Sequence, residues 1–333
     1  MPADRLNQPA RLDATLYAVL EVLAGVSTDT AAARAGLEPA DLDAAVTVYQ
    51  QAGQHALAQQ AGPPAWRQLY VQFTDWDKAE QTAADHIAPI LDLTQQNRQI
   101  TSWWFIRKHP CWRIRLLPVP GTQLPAALAD ALDELATGGR IHRWWPGTYE
   151  PETTAFGGNA GMTIAHALFD ADSRAILTAS HGELGRRELS LLLCATLMRA
   201  AGLEWFEQGD VWHRVTGQRP LPADVPADKV HTLADTLRHL LLADTSPAGP
   251  MLQSDRSLKP TADWVSAFRH AGRELGAANR DGTLGRGLRE VIAYHVIFHW
   301  NRLGLPARTQ SVLAHAARTA ILHQDASTER VTP

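Results

Sequence analysis

The stretch QITSWWFIRKHPCWRIRLL, residues 99–117, decides the fold. It reads as two strands, 99–108 and 111–117, joined by a tight turn at His109-Pro110. Upstream, RQLYVQFT (67–74) reads as another strand, with Leu69, Val71 and Phe73 on one face. Between them DWDKAEQTAADHIAPILDLTQQ (75–96) reads as a helix that Asp75 can cap. Downstream come a second helix over 124–135 and a fourth strand, IHRWWPGTY, over 141–149. The order β-α-β-β-α-β predicts a ferredoxin-like split βαβ sheet, with helices on one face and an open face for binding.

From about residue 160 the apolar spacing is helical. Helices are expected over 161–178, 184–201, 231–242, 261–277, 284–303 and from Pro306 to about 323. Residues 203–215 read as irregular, 216–228 and 243–260 as loops, and 324–333 as a frayed end. The fold class is therefore α+β, with a mainly helical C-terminal half.

Ahead of the sheet, 11–60 reads as three short helices. Gly25 ends the first, Thr28 or Asp29 caps the second, and Glu38-Pro39 opens the third. The pattern resembles a helix-turn-helix, but charge excludes a DNA reader. Residues 1–61 carry Arg5, Arg11 and Arg34 against seven acidic residues, whereas a recognition face must be basic. A docking or dimerisation module fits better. Ala61-Gly62-Pro63-Pro64-Ala65 reads as a stiff linker. The expected organisation is a helical extension, 1–61, and one domain, 66–323, made of the sheet unit 66–150 and a helical part 160–323.

Composition narrows the function. The 333 residues carry 31 basic and 35 acidic side chains, a net charge of −4, which leaves no strong field for nucleic acid or an anionic membrane. Two cysteines, Cys111 and Cys194, make no disulfide framework, so a reducing cytoplasm is expected. The N-terminus has no apolar signal core, and LSLLLCATLM is about half a membrane span. Among the basic residues only four are lysine, and there are eleven tryptophans. Arginine forks bind carboxylates and tryptophans bind apolar surface, although a high-G+C genome produces the same arginine bias.

The common catalytic signatures are missing. There is no Gly-x-Gly-x-x-Gly after a strand, no Walker loop and no Gly-x-Ser-x-Gly elbow. His295 and His299 have a zinc spacing, but Val296 stands where a metalloprotease needs its base, so no metal is expected. The prominent feature is arginine on strands. Arg107 closes Trp103-Trp104-Phe105-Ile106, and Arg113 and Arg115 lie two apart on one strand face. Paired guanidiniums there suit a carboxylate or phosphate, unless they simply face water.

Three landmarks in order resemble the C-terminal domain of lantibiotic dehydratases, also found as a standalone thiopeptide-type bacteriocin biosynthesis protein. The first is Trp103-Trp104-Phe105-Ile106-Arg107, Pro110 and Trp112-Arg113-Ile114-Arg115. The second is Tyr149, Pro151, Glu152 and Ala155-Phe156-Gly157-Gly158, then Phe169, Asp172 and Ser173. The third is His299-Trp300-Asn301-Arg302. The resemblance runs from about 66 to about 318.

The resemblance implies biosynthesis of ribosomally made, post-translationally modified peptides. A separate, tRNA-dependent glutamylating subunit would esterify Ser or Thr of a precursor peptide with glutamate. This chain would then expel glutamate and leave dehydroalanine or dehydrobutyrine. A base must remove the Cα proton, and the enolate and leaving carboxylate must be stabilised. By resemblance Arg107, Arg113 and Arg115 bind the glutamate, and His299, supported by Arg302, is the acid or base. Glu152 orients an arginine or acts as a base. Trp103, Trp112, Tyr149, Phe156 and Asn301 would contact peptide, and Gly157 and Gly158 would let its backbone approach. These guanidiniums and the imidazole are expected to meet in one cleft.

Two positions depart from the eliminating members, which carry Arg where this chain has Ala155 and Tyr where it has Phe156; the position before Trp112, often His, is Cys111. This opens a second reading, a pyridine synthase. Such an enzyme joins two dehydroalanines in a formal [4+2] cycloaddition and releases the leader peptide. Aromatic walls such as Trp103, Trp104, Trp112, Trp144 and Trp145 would suit it. A third reading is a non-catalytic subunit that holds the precursor along an open sheet edge. None needs a cofactor, DNA or a membrane; a homodimer is left open.

Overall fold

The computed structural model describes residues 8–60, 66–119, 125–178, 184–252 and 261–323. The expected linker at 61–65 and tail at 324–333 lie outside them. The chain divides into two compact units, residues 1–65 and 66–333.

The first unit holds α1 (Gln8–Leu23), α2 (Thr28–Ala35) and α3 (Pro39–Gln60). Ser27, not Thr28 or Asp29, caps α2, its hydroxyl accepting from the Thr30 amide. Gly36 ends α2 at φ +65, a conformation glycine adopts without steric cost. Ala18, Val19, Ala31, Ala32, Leu42 and Val46 form a small core. Leu12, Leu16, Leu20 and Leu23 stay exposed along α1.

The second unit opens with β1 (Arg67–Phe73) and then α4 (Ala79–Thr82), which continues through a π turn into α5 (Ala88–Gln96). Pro89 has no amide to give the Asp85 carbonyl, which is where the helical ladder is irregular. Next come β2 (Ile100–Lys108), β3 (Cys111–Pro118), α6 (Ala126–Thr137) and β4 (Ile141–Gly147). The sheet order is β2-β3-β1-β4, antiparallel throughout. Leu69, Val71, Phe105, Trp112, Ile114 and Leu116 point to one face and enter the main core.

The helical part comprises α7 (Gly158–Thr178), α8 (Arg186–Ala200), α9 (Trp205–Gln218), α10 (Ala227–Leu242), α11 (Ala262–Arg280), α12 (Leu288–Leu303) and α13 (Ala307–Leu322). The stretch expected to be irregular is α9, closed at its start by a reciprocal Glu204–Glu207 capping box. Close packing of α11 on α8 depends on missing side chains. A Cβ at Gly272 would lie 2.4 Å from the Leu197 carbonyl, and one at Gly276 2.7 Å from that of Ala201.

The sheet's second face is not wholly open. Helix α7 runs along β2, where Ser173 Oγ accepts from the Phe105 amide at 3.1 Å and Asp170 accepts from Ser102 Oγ at 2.6 Å. That covers the β2 edge expected to be free. Phe169 of α7 lies 4.7 Å from the Trp104 ring, so the β2–β3 half of this face is roofed. The β1–β4 half stays accessible, with Tyr70, Trp145 and Arg143 only partly buried or exposed.

Candidate functional site

Strand pairing sorts the three arginines. Trp104 opposes Arg115 and Ile106 opposes Arg113, so these four share a face. Arg107 opposes Trp112 and points to the other side. The expected single cluster of Arg107, Arg113 and Arg115 does not form, because the register sets odd positions of β2 opposite even positions of β3, so Arg107 shares its face with Trp112 and not with Arg113 or Arg115.

Arg115 is almost fully buried. Its guanidinium lies 4.2 Å from the Trp104 ring centroid and 4.3 Å from that of Tyr149. Its Nε donates to Gln68 Oε1 at 2.9 Å, and Gln68 in turn donates to the Thr148 carbonyl at 3.1 Å. Nη1 has no hydrogen-bond partner among the described residues. Burial pulls the guanidinium down to about 10, while Tyr149 and Glu152 work against that shift. Glu152 is exposed and close enough for its charge to reach Arg115. Arg113 lies 5.5 Å from the Tyr70 ring, which stacks on Trp145 at 5.2 Å.

Beside Arg115, Tyr149 Oη and His166 Nε2 are hydrogen bonded at 2.9 Å. Trp66 packs on His166 with centroids 4.5 Å apart. Burial, reinforced by the Arg115 charge, lowers His166 to about 4, so its imidazole is neutral at physiological pH. Burial pushes the Tyr149 hydroxyl up, which keeps its proton on. His166 belongs to no motif; its only signal in the sequence is a polar residue among the buried positions Met162, Ala165 and Phe169 of α7. Ala155 packs against the buried cluster of Trp104, Ile106, Phe156, Met162, Ala165 and Phe169.

His299 and Arg302 lie elsewhere. Both are fully buried around Asp172 of α7. His299 Nδ1 is 3.0 Å from each Asp172 oxygen, and Arg302 Nε donates to Oδ2 at 2.7 Å. Trp264 Nε1 adds a bond to Oδ1 at 2.8 Å. Burial works to raise the Asp172 carboxyl, but the His299 and Arg302 charges outweigh it and hold it down. His295 is also buried, and burial lowers it to about 3. The imidazole expected in the cleft is thus locked in the core. Trp103, Trp112 and Phe156 are core residues too, not walls for a peptide. Gly157 and Gly158 serve the turn into α7, at φ +82 and +93, and the Gly157 carbonyl accepts from the Gly285 amide at 2.8 Å.

Arg107 has a separate job. Glu80 binds both Arg107 and Arg186, and these cations bring its carboxyl down to about 2 against the opposing effect of burial. Arg107 Nε donates to the Arg302 carbonyl at 2.6 Å and Arg186 Nη1 to that of Leu303 at 2.9 Å. Together they cap the C-terminus of α12, whose last carbonyls need donors. Gly304 leaves them room, since a Cβ there would fall 2.7 Å from Arg107 Nη1. Arg107 and Asn301 also border a cleft of about 860 Å³ between the β2–β3 turn, the end of α9 and the α12–α13 turn. Among the described residues no group of three or more side chains is arranged to hold a metal ion, and no helix is long and apolar enough to cross a membrane.

The family model for the C-terminal domain of lantibiotic biosynthesis dehydratases matches residues 66–321. The chain belongs to that family. Three solved structures are similar. The tRNA-dependent lantibiotic dehydratase MibB from Microbispora sp. 107891 is 22% identical with a TM-score of 0.59, over 78% of this chain and 28% of MibB. TsrL is 16% identical with a TM-score of 0.56, over 77% of this chain and 93% of its own. The pyridine synthase TbtD from thiomuracin biosynthesis is 14% identical with a TM-score of 0.52, over 77% and 97%. No curated protein matches the chain. Membership ties the chain to the C-terminal part of lantibiotic biosynthesis dehydratases, and the chain spans only about a quarter of MibB's length.

Proposed function

We propose that this protein eliminates glutamate from glutamylated Ser or Thr of a precursor peptide, acting in trans with a separate glutamylating subunit. The observation that carries the reading is the array of Arg115, Tyr149 and neutral His166 on one side of the sheet. A neutral imidazole can accept the Cα proton. The electron pair then forms the Cα=Cβ bond, the Cβ–O bond breaks, and glutamate departs as a carboxylate. Arg113 and Arg115 offer the cations that the enolate and carboxylate need. In this reading the proton carrier is His166, and His299 with Arg302 holds α12 to α7. The strand order β2-β3-β1-β4 supports a ferredoxin-like sheet unit, and two buried free cysteines suit the cytoplasm.

The test is direct. Purified protein and glutamylated precursor should give free glutamate and a dehydrated peptide by mass spectrometry; bound but unchanged precursor would sink the reading.

A pyridine synthase remains the second reading, favoured by Ala155, which packs against an aromatic-rich cluster where eliminating members carry arginine. A precursor bearing two dehydroalanines should release its leader peptide only on this alternative. For the first unit, the exposed leucines of α1 support a docking or dimerisation role. Sedimentation of residues 66–333 tests it, and association unchanged from the full chain would remove it.

A further inference from the structure

The cleft beside α12 is cationic although the chain is acidic overall. Its lining carries three arginines, and their partners differ. Arg308 is neutralised by Asp224 at 2.7 Å. Arg107 and Arg186 share the single carboxylate of Glu80, which leaves one positive charge over. Arg219 meets only neutral acceptors, Gln310 Oε1 at 2.7 Å and the Gln218 carbonyl at 2.9 Å, and has no carboxylate among the described residues. Arg219 therefore brings to the cavity a charge with no carboxylate partner, beside Arg107, whose Glu80 is shared with Arg186. Trp76 and Pro220 supply apolar wall, and Asn301 and Ser311 supply polar groups. Convergent cations with apolar and amide surface in a cavity of this size make a ligand site.

We propose that this cleft binds an acidic peptide segment, with Arg219 as the principal carboxylate contact. It is separate from the array at Arg115, since Arg107 points to the opposite side of the sheet. That the segment comes from the precursor peptide rests on the proposed function; the binding itself does not. A guanidinium already held in place by neighbouring amide groups loses little freedom when a carboxylate arrives.

The probe is a fluorescein-labelled peptide of alternating Glu and Leu, titrated into the full chain by anisotropy. A Gln-for-Glu peptide of equal length and free glutamate are run beside it. The acidic peptide should bind, weaken about tenfold or more as salt screens the contact, and lose about tenfold in R219Q and more in R219E. R219K should recover part of the affinity, and unchanged thermal unfolding of R219Q separates lost contact from lost fold. Equal binding by the Gln peptide, undiminished binding by R219E, or competition by free glutamate alone at equal concentration would overturn the proposal. Glutamate release from a short glutamylated peptide lacking acidic residues should not change in R219Q. If all forms fail in that assay while the acidic peptide still binds, the proposed function fails and this inference stands.

Discussion

Two places in the second unit use a similar chemical kit, arginine, histidine and a side-chain oxygen group, for opposite ends. Around Asp172 every charge is sealed, and His299 and Arg302 converge on one carboxylate. Around Arg115 there is no buried carboxylate; rings hold the guanidinium, one nitrogen is left unpaired, and a neutral imidazole lies beside it. The first arrangement is anchored on its carboxylate and joins α7 to α12, although Arg302 Nη1, Arg302 Nη2 and His299 Nε2 have no hydrogen-bond partner there. The second has a cation with no carboxylate bonded to it, which is what an anionic substrate requires. Residue type does not separate them; the presence of a buried anion does.

The largest effect should break the sealed centre. Asp172→Asn leaves the buried Arg302 guanidinium without its anion, and removing one partner of such a pair typically costs about 3–5 kcal/mol. Denaturant unfolding should register a loss of that order, and a loss near zero would mean that the cluster does not hold α7 to α12. His166→Gln should instead spare folding and slow glutamate release by roughly 10²–10⁴, the usual worth of a positioned proton carrier. An unchanged rate would move the base elsewhere. Arg113→Ala should slow release by at least about tenfold, equivalent to about 1.4 kcal/mol of transition-state stabilisation. If it does not, Arg113 serves only to stack on Tyr70.

The smallest effect concerns pH. His166 and His295 sit at about 4 and about 3 in the folded chain, below the ordinary 6.5. The unfolded chain binds their protons first, so stability falls as pH drops from about 6.5 toward 4. Glu80, at about 2 against an ordinary 4.5, withdraws its contribution as pH falls below about 4.5. Melting temperature should therefore decline steadily from pH 7 to pH 4. Glutamate release should keep its full complement of neutral His166 down to about pH 5. A bell-shaped rate centred on pH 6.5 would contradict the assignment of His166.

Much of this was readable in order along the chain. Alternation at Leu69, Val71 and Phe73 marks the buried side of β1, and the two-residue spacing of Arg113 and Arg115 places them together. Motif neighbours are not site neighbours. Arg107 belongs to the same landmark as Arg113, yet the pairing sets odd positions of β2 opposite even positions of β3, so the two face opposite ways and Arg107 caps a helix instead. His299 sits in a motif with Asn301, but helical rotation sends one side chain to Asp172 and the other to the cleft.

The sequence by itself determined the strands, most of the helices, the boundary near residue 65 and the family, because periodicity and turn chemistry are local and each stretch carries its own. The fold alone brings Arg115 between the Trp104 and Tyr149 rings, joins His166 to Tyr149, and sets Arg219 and Arg107 on the wall of one cleft. Those facts depend on segments 17 to more than 100 positions apart meeting in space. Burial and charge compensation are properties of that meeting, not of any residue's neighbours in the chain.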